Sequence, residues 1–315
     1  MRGGQTALGA TLPVIIIGGY LGAGKTTLVN HLLRHAGGQR IAVLVNDFGD
    51  LAIDADLIEG QQEDVIALAG GCVCCSFGAD LVGSLSKMAQ RQPAPDVVLI
   101  ETSGVGLPAA VARSVGLCQG ASMAGIVTLA DAQTLRERAA DTYVGDTVMQ
   151  QLQAADLLLL NKADLLASEV LAALHAWLAQ AAPQAPVVST VRASVPAPLV
   201  LGLRATPAAE VEQGRATTAG LLGGRIGASA ASRFESRSQR FALPQDVPAL
   251  AVALTAPGSG VLRAKGVLRG LDGQSWVLQV VGRRASIDPA LRQAREGGEL
   301  VIIGLRGSAP IWSPA

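Results

Sequence analysis

The chain carries Gly19-Tyr20-Leu21-Gly22-Ala23-Gly24-Lys25-Thr26-Thr27 between an apolar run, residues 14–17, and residues 28–33, whose apolar side chains recur at helical spacing. This order of strand, glycine-rich loop and helix predicts a P-loop in which all nine quoted residues bind a nucleotide. Glycines let backbone N–H groups line a concave anion site, and the helix dipole points its positive end there. We expect Lys25 to reach the β- and γ-phosphate oxygens and Thr26 to bind Mg²⁺. A plain glycine turn between a core strand and a helix is the alternative.

A polar tetrapeptide, Glu101-Thr102-Ser103-Gly104, follows the apolar run 97–100. An acid at the carboxyl end of a buried strand beside a P-loop is typical of the Walker B residue, which holds Mg²⁺ directly or through water. We therefore expect Glu101 to join Thr26 at the magnesium ion. The N–H of Gly104 is expected to bind the γ-phosphate, so that this loop senses whether that phosphate is present. Lys25, Glu101 and Gly104 are the predicted catalytic groups.

A second nucleotide motif, Asn161-Lys162-Ala163-Asp164, follows the apolar run 157–160. The carboxylate of Asp164 can accept hydrogen bonds from the N1–H and the N2 amino group of guanine. Adenine lacks this donor pair, so the motif favours GTP over ATP. We expect Asn161 to hold the loop and to contact the base, and the stem of Lys162 to lie over the base. A polar loop without a ligand is the alternative.

Three of the four cysteines are clustered in Cys72-Val73-Cys74-Cys75, between a predicted strand and a predicted helix. Such clustering favours metal or redox chemistry over a disulfide framework. Thiolates suit Zn²⁺ or Cu⁺ and accept Co²⁺, and three of them leave one position of a tetrahedral site open for an exchangeable ligand. Buried inert cysteines and a redox dithiol are the alternatives. Cys118 stands in an apolar stretch and is expected to be a small core residue.

An acidic loop, Asn46-Asp47-Phe48-Gly49-Asp50, follows the predicted strand 40–45. Ligands of open α/β sheets bind at the carboxyl ends of the strands. Asp47 or Asp50 is therefore a candidate ligand of the nucleotide's Mg²⁺ or of a second metal. A solvated turn fits the same residues equally well.

The totals of the whole chain exclude several classes of function. The 315 residues carry 25 basic and 25 acidic side chains, so charge gives no case for nucleic acid or an anionic membrane as a partner. The unbroken apolar runs are far shorter than the roughly 18 residues that a membrane span needs. Residues 1–6 show no separate apolar signal region, and we expect a cytoplasmic protein.

Strands and helices alternate along the first part of the chain, which predicts an α/β domain, residues 1–192, with a mostly parallel sheet and helices on both faces. Residues 193–234 are rich in Ala, Pro, Gly, Thr and Ser and are expected to be a flexible linker. Residues 235–315 predict a small α+β domain with a helix starting at Asp288-Pro289. Its predicted strands are 239–243, 260–268, 275–281 and 299–305. Residues 261–266 either dock on the first domain, dock on a partner, or form a strand with charged outward positions.

These motifs resemble those of the CobW-type GTPases, which are related to the nickel-insertion proteins HypB and UreG. The resemblance rests on the P-loop, the 46–50 loop with Ile53-Asp54, Gly71 with the three cysteines, residues 101–104, residues 161–164 and Arg263-Ala264-Lys265-Gly266. It implies Mg²⁺-dependent GTP hydrolysis coupled to delivery of Zn²⁺ or Co²⁺ to a client metalloprotein, a metal-insertion enzyme or the cobalamin pathway. It also implies that Cys72, Cys74 and Cys75, with Asp47, hold the metal, and that residues 239–305 form a CobW C-terminal domain.

Two features depart from the pattern of that family. Its members commonly carry glutamates where this chain has Asp47 and Asp50, and many have a histidine-rich stretch. The three histidines of this chain, His31, His35 and His175, lie at predicted helix positions instead.

We expect slow intrinsic GTP turnover, because no arginine finger or water-orienting residue stands out. A regulatory GTPase with a structural zinc and a metal-binding storage module are the alternative functions.

Overall fold

The computed structural model describes residues 11–46, 65–68, 77–202, 234–290 and 293–306. The elements of the first domain are β1 (Leu12–Gly18), α1 (Lys25–Arg34), β2 (Ile41–Asn46), β3 (Val65–Leu68), α2 (Phe77–Gln90), β4 (Val97–Glu101), α3 (Pro108–Gly116), β5 (Ala121–Asp131), α4 (Leu135–Ala139), α5 (Gly145–Gln153), β6 (Leu157–Asn161), α6 (Ser168–Ala181), β7 (Val187–Ser189) and α7 (Ala197–Leu201). The seven strands form one sheet in the order β3-β2-β4-β1-β5-β6-β7. Every paired strand runs parallel to its neighbour, so the predicted parallel sheet is confirmed.

Strand β1 shows why the sheet is covered on both faces. Its residues are apolar without interruption, as expected for a parallel strand buried on both sides. Ile15 and Ile17 pack in one apolar cluster with Leu28 of α1. Val14 and Ile16 pack in a second cluster on the opposite face, with α2 and α3 residues. The prediction of helices on both faces is therefore confirmed.

The register of the strands brings the sequence motifs to one edge of the sheet. Ile17, near the end of β1, pairs with Glu101 at the end of β4. At the next positions along the sheet, Gly18 pairs with Thr128 of β5, and Asp131 pairs with Asn161 at the end of β6. Because the strands are parallel, the loops that follow them emerge at the same edge, where ligands of open α/β sheets bind.

A second, antiparallel sheet follows in the order β11-β10-β9-β12-β8. Its elements are β8 (Phe234–Phe241), α8 (Val247–Thr255), β9 (Val261–Arg269), β10 (Ser275–Val281), β11 (Arg284–Pro289) and β12 (Gly298–Leu305). Leu250 and Leu254 of α8 pack with Leu278 and Val280 of the sheet in one apolar cluster. This sheet with its single described helix confirms the expected small α+β unit.

The predicted helix starting at Asp288-Pro289 is wrong for these two residues. Asp288 pairs with Val277 and Pro289 with Trp276 in the antiparallel ladder of β11 and β10. Strand β11 lies at the edge of its sheet, where the missing N–H of a proline costs no ladder bond. The chain shows the same helix-start chemistry at α8, where Asp246 accepts a hydrogen bond of 2.9 Å from Ala249 N. Helix α8 had not been predicted from the sequence.

The expectation of a flexible linker is wrong for residues 193–202. Residues Ala197–Leu201 form helix α7, and Val195 and Leu199 are fully buried. The prolines of this segment stand at the cap and in the first turn of the helix, where proline fits, so composition alone misjudged the segment. The remainder of the predicted linker, residues 203–233, lies outside the described residues.

The two sheets share one apolar core. Val195 and Leu199 pack in the same cluster as Phe234, Leu262 and Ile303 of the second domain. Arg263, within the predicted docking stretch 261–266, is only 2% exposed. A Cβ atom on Gly202 would lie 2.6 Å from Arg263 Nη2, so this stretch docks on the first domain. It also forms part of strand β9, which was another of its three interpretations from sequence.

Charged groups cross the same boundary. Arg284 Nε donates to Asp156 Oδ2 over 2.7 Å, and Asp156 Oδ2 also accepts a hydrogen bond of 2.9 Å from Ile126 N. Burial raises the pKa of Asp156, although the charges of Arg284 and Arg263 oppose this effect. Burial also lowers the pKa of Arg263 to about 10. Asp156, the residue before β6, thus adds an ionic contact to the apolar contacts between the two domains.

Acid is expected to destabilise the fold through His31 on α1. Its Nε2 donates to Val195 O over 2.7 Å, and burial lowers its pKa below the ordinary 6.5. Just below pH 6.5 the unfolded chain therefore binds more protons than the folded chain. The contribution of neutral His31 to the free energy of unfolding is fully present above its pKa in the unfolded chain. This contribution is lost as the pH falls through its pKa in the folded chain.

Urea unfolding of the wild type and of His31→Gln between about pH 8 and pH 5 tests this expectation. The free energy of unfolding should fall less with acid in His31→Gln than in the wild type. Burial lowers the pKa of His175 as well, so His31→Gln should retain part of the slope. Parallel curves for the two proteins would contradict the prediction.

The helices of the described residues are short relative to the thickness of a membrane. Helices α2 and α6 have 14 residues each, fewer than the roughly 20 residues that a spanning helix needs. Across the described ranges, no helix is both long enough and apolar enough to cross a membrane.

Candidate nucleotide and metal site

The P-loop places the amino end of α1 at the carboxyl edge of the sheet. Helix α1 begins at Lys25, and Gly24 precedes it with φ of 102°, a conformation that favours glycine. A Cβ atom on Gly24 would lie 2.5 Å from Asn161 Nδ2. No side chain of the described residues caps the first turn of α1. Its N–H groups and its positive dipole end therefore fit a phosphate.

The two residues predicted to hold Mg²⁺ lie side by side. Thr26 Oγ1 donates to Glu101 Oε1 over 2.8 Å, although the residues are 75 positions apart in the chain. Glu101 is 1% exposed at the end of its central strand. Hydroxyl and carboxylate oxygens are the ligand types that Mg²⁺ prefers, and the residues present therefore fit this ion.

Residues 102–107, here named the sensor loop after the role predicted for Gly104, connect β4 to α3 beside the P-loop. Thr102 N donates to Ile17 O over 3.0 Å, which fixes the start of the loop against β1. Gly104 packs on Leu21, since a Cβ atom at position 104 would lie 2.9 Å from Leu21 N. The structure thus places Gly104 next to the P-loop residue Leu21.

Asn161 links three parts of the site. Its Nδ2 donates to Ala23 O in the P-loop over 2.9 Å, and its Oδ1 accepts a hydrogen bond of 2.8 Å from Ala193 N. Thr190 Oγ1 donates to the same oxygen over 3.2 Å. Asn161 is 2% exposed, so these contacts fix the P-loop relative to the loops that follow β6 and β7.

Lys162 and Asp164 of the same motif lie nearer the surface than Asn161. Lys162 has φ of 60°, a left-handed conformation that is uncommon outside glycine. Its Nζ forms an ion pair of 2.7 Å with Asp131 Oδ2. Asp164 is exposed, so its carboxylate is accessible to a base.

Sequence reasoning missed two residues of this site. Asp131 orients Lys162, and its position at the carboxyl end of β5 was the signal that pointed to it. Gln151 donates from Nε2 to Gly104 O and Gly106 O of the sensor loop. Gln151 is a polar residue on the buried side of a helix. The spacing of apolar residues in the sequence does not mark such a position.

The predicted metal ligands Cys72, Cys74, Cys75 and Asp47 lie outside the described residues. The same holds for Asp50 and Asp54. Within the ranges that the structure describes, no group of three or more His, Cys, Asp or Glu side chains is arranged to hold a metal. Cys118 is buried in the core, with its Sγ 3.6 Å from Ser86 Oγ, as its apolar surroundings predicted.

Two known protein families match the sequence of this chain. The family profile described as CobW/HypB/UreG, nucleotide-binding domain, matches residues 13–189. The chain belongs to the CobW/HypB/UreG family. A second profile, the cobalamin synthesis protein cobW C-terminal domain, matches residues 234–309. The resemblance inferred from the sequence motifs is therefore confirmed.

Relatives within the CobW/HypB/UreG family have been given functional names. The zinc chaperone CobW of a Sinorhizobium species is 31% identical over 221 residues, which are 61% of this chain and 62% of the relative. The zinc chaperone CobW of Pseudomonas aeruginosa is 35% identical over 228 residues, 62% of this chain and 61% of the relative. The zinc-regulated GTPase metalloprotein activator 1 of Schizosaccharomyces pombe is 35% identical over 173 residues, 51% of this chain and 41% of the relative. The chain thus spans about three fifths of the length of the two zinc chaperones.

Proposed function

We propose that this protein is a GTP-hydrolysing metallochaperone that carries Zn²⁺ or Co²⁺ and delivers it to a client protein or to the cobalamin pathway. The observation that carries the proposal is the contact of 2.8 Å between Thr26 and Glu101, beside the uncapped amino end of α1. The names of the three relatives support zinc as the cargo and a GTPase as the family activity.

The side chains of the site divide the work on the nucleotide. Bound Mg²⁺ supplies neutralisation of the charge on the phosphate oxygens. Lys25 and the N–H groups of α1 hold the phosphates, and the N–H of Gly104 holds the γ-phosphate oxygen. Asp164 accepts the two guanine hydrogen bonds. Slow turnover is the expectation, because positioning without an arginine finger leaves much of the transition-state charge unstabilised.

The strand order favours an indirect coupling between metal and nucleotide. The cysteines follow β3 in the sequence, and β3 lies three places from β1 in the sheet. At about 4.8 Å per strand, the carboxyl ends of β3 and β1 are roughly 14 Å apart. In our proposal the γ-phosphate of GTP binds residues 47–54 and 101–106, and these segments then arrange the thiolates around the metal. Hydrolysis removes the contacts with the γ-phosphate and releases the metal.

Zinc affinity is expected to depend on the nucleotide. A non-hydrolysable GTP analogue should tighten Zn²⁺ binding about tenfold relative to GDP, which is a typical coupling between two sites. Competition titration with a chromogenic zinc chelator measures this ratio, and the same titration with Co²⁺ compares the two candidate cargoes. Replacing Cys72, Cys74 and Cys75 together by serine should remove the tight site while GTP binding persists.

Cys118→Ala is the matched control, because Cys118 is a buried core cysteine that is not part of the predicted metal motif. Its metal affinity should equal that of the wild type. Tight zinc binding that ignores the nucleotide would favour a regulatory GTPase with a structural metal. Zinc binding without any GTP turnover would favour a storage module. Either result would overturn the proposal.

A further inference from the structure

Gln151 occupies a position where the packing calls for an apolar side chain. It lies on α5 in the buried stripe formed with Gly145, Val148 and Leu152. Only 1% of Gln151 is exposed. Burying an amide costs free energy unless hydrogen bonds compensate it, so the contacts of this side chain deserve an explanation beyond packing.

Both amide hydrogens of Gln151 are directed at the sensor loop. Its Nε2 donates to Gly104 O over 3.1 Å and to Gly106 O over 2.8 Å. These two carbonyls flank Val105, which is 41% exposed at the surface of the loop. One rigid side chain therefore fixes two alternate peptide groups, and with them the orientation of the Gly104 backbone.

The main chain of Gln151 is tied to the strand that leads into the P-loop. Thr128 Oγ1 donates to Gln151 O over 3.2 Å, and Thr128 pairs with Gly18, the last residue of β1. Helix α5 and the adjacent strands β5 and β1 thus connect the sensor loop to the start of the P-loop.

We propose that Gln151 is a positioning residue for γ-phosphate recognition, and this inference rests on the proposed GTPase function. By holding Gly104 O and Gly106 O, it keeps the N–H of Gly104 aimed at the place of the γ-phosphate before the nucleotide arrives. The loop then pays little ordering cost on binding GTP, whereas GDP, which lacks that phosphate, gains nothing. Gln151 thereby sets the preference for GTP over GDP.

The test compares Gln151→Met with Gln150→Met. Methionine matches glutamine in length and lacks the donors, and Gln150 is exposed on the same helix. Two hydrogen bonds of ordinary net strength correspond to roughly a five- to hundredfold change. Gln151→Met should weaken binding of a non-hydrolysable GTP analogue about tenfold and lower kcat about tenfold, with the Kd for GDP within about twofold of the wild type. Gln150→Met should match the wild type in all three.

Gln151→Glu is a second variant that retains the shape and gives a signature that general damage to the fold does not. Its ionised carboxylate would face two carbonyl oxygens, whereas the protonated form can donate one hydrogen bond. Affinity for the GTP analogue should therefore recover as the pH is lowered, relative to Gln151→Met at the same pH. Asp131 and Arg138, which line the same cavity as Gln151, are common to both variants and cancel in this ratio.

The outcomes separate the inference from the proposed function. In one outcome, Gln151→Met weakens the binding of GDP and of the GTP analogue equally. In another, the affinity of Gln151→Glu for the analogue relative to Gln151→Met does not change with pH. Either result would assign Gln151 a merely structural role and overturn the inference. A wild type that hydrolyses GTP while Gln151→Met keeps its full preference for the analogue would also overturn it, with the proposed function intact. A wild type that does not bind GTP would overturn both.

Discussion

Lys25→Ala is expected to lower kcat for GTP hydrolysis at least about 100-fold, the usual cost of removing one charge-stabilising donor from a preorganised site. Lys25 is the first residue of α1 and only 8% exposed. Its charge stands where the helix dipole already favours an anion, so the lysine and the dipole act on the same phosphates. Phosphate release under saturating GTP measures the effect.

Lys87→Ala is the matched control, since Lys87 is an exposed lysine in the last turn of α2. Its kcat should equal that of the wild type. Circular dichroism of both variants separates lost chemistry from lost structure. If Lys25→Ala turned over GTP at the wild-type rate, the assignment of the phosphate site to the P-loop would be wrong. The proposed reaction would then be contradicted as well.

Asp164→Asn is expected to weaken GTP binding at least about 100-fold, because two hydrogen bonds to a charged acceptor are lost or reversed. The same variant should gain affinity for xanthosine triphosphate. Xanthine carries a carbonyl where guanine carries its N2 amino group, and the asparagine amide can donate to that carbonyl. Displacement of a fluorescent guanine nucleotide by GTP, ATP and xanthosine triphosphate gives the three affinities.

Asp146→Asn, a change of the same kind at an exposed position of α5, should leave all three affinities unchanged. The exchange of base preference is the informative part of the result, because misfolding cannot produce a gain. An Asp164→Asn variant that binds GTP as the wild type does would dissociate base selection from this carboxylate. ATP would then return as a candidate substrate.

The part of the site that could be predicted from sequence consists of local patterns. Residues 19–27 and 161–164 are contiguous motifs, and each follows a continuous apolar run that forms a buried parallel strand. The meeting of Thr26 with Glu101 follows from strand order, since the P-loop that leads to Thr26 follows β1, and Glu101 ends β4, the parallel neighbour of β1. Their spacing of 2.8 Å adds the geometry that the motifs alone do not contain.

Contacts that depend on tertiary packing were not predictable in the same way. Gln151 acts across space on a loop 45 to 47 positions away, and nothing in its neighbours marks it. Residues 193–202 have the composition of a linker, yet their apolar side chains are buried by both domains. Asp288 and Pro289 carry a helix-start pattern, but pairing with Trp276 and Val277 holds them in an edge strand.

The joint burial of Val195 and Leu199 with Phe234, Leu262 and Ile303 bears on how the polypeptide can be divided. A fragment that stops at residue 202 would expose to water the apolar side chains that pack against the second domain. This exposed surface would lie on the side of α1 where His31 Nε2 donates to Val195 O. Water would then contact the core directly behind α1. The first domain therefore depends on the second domain to complete its core, and it is not an independently stable unit.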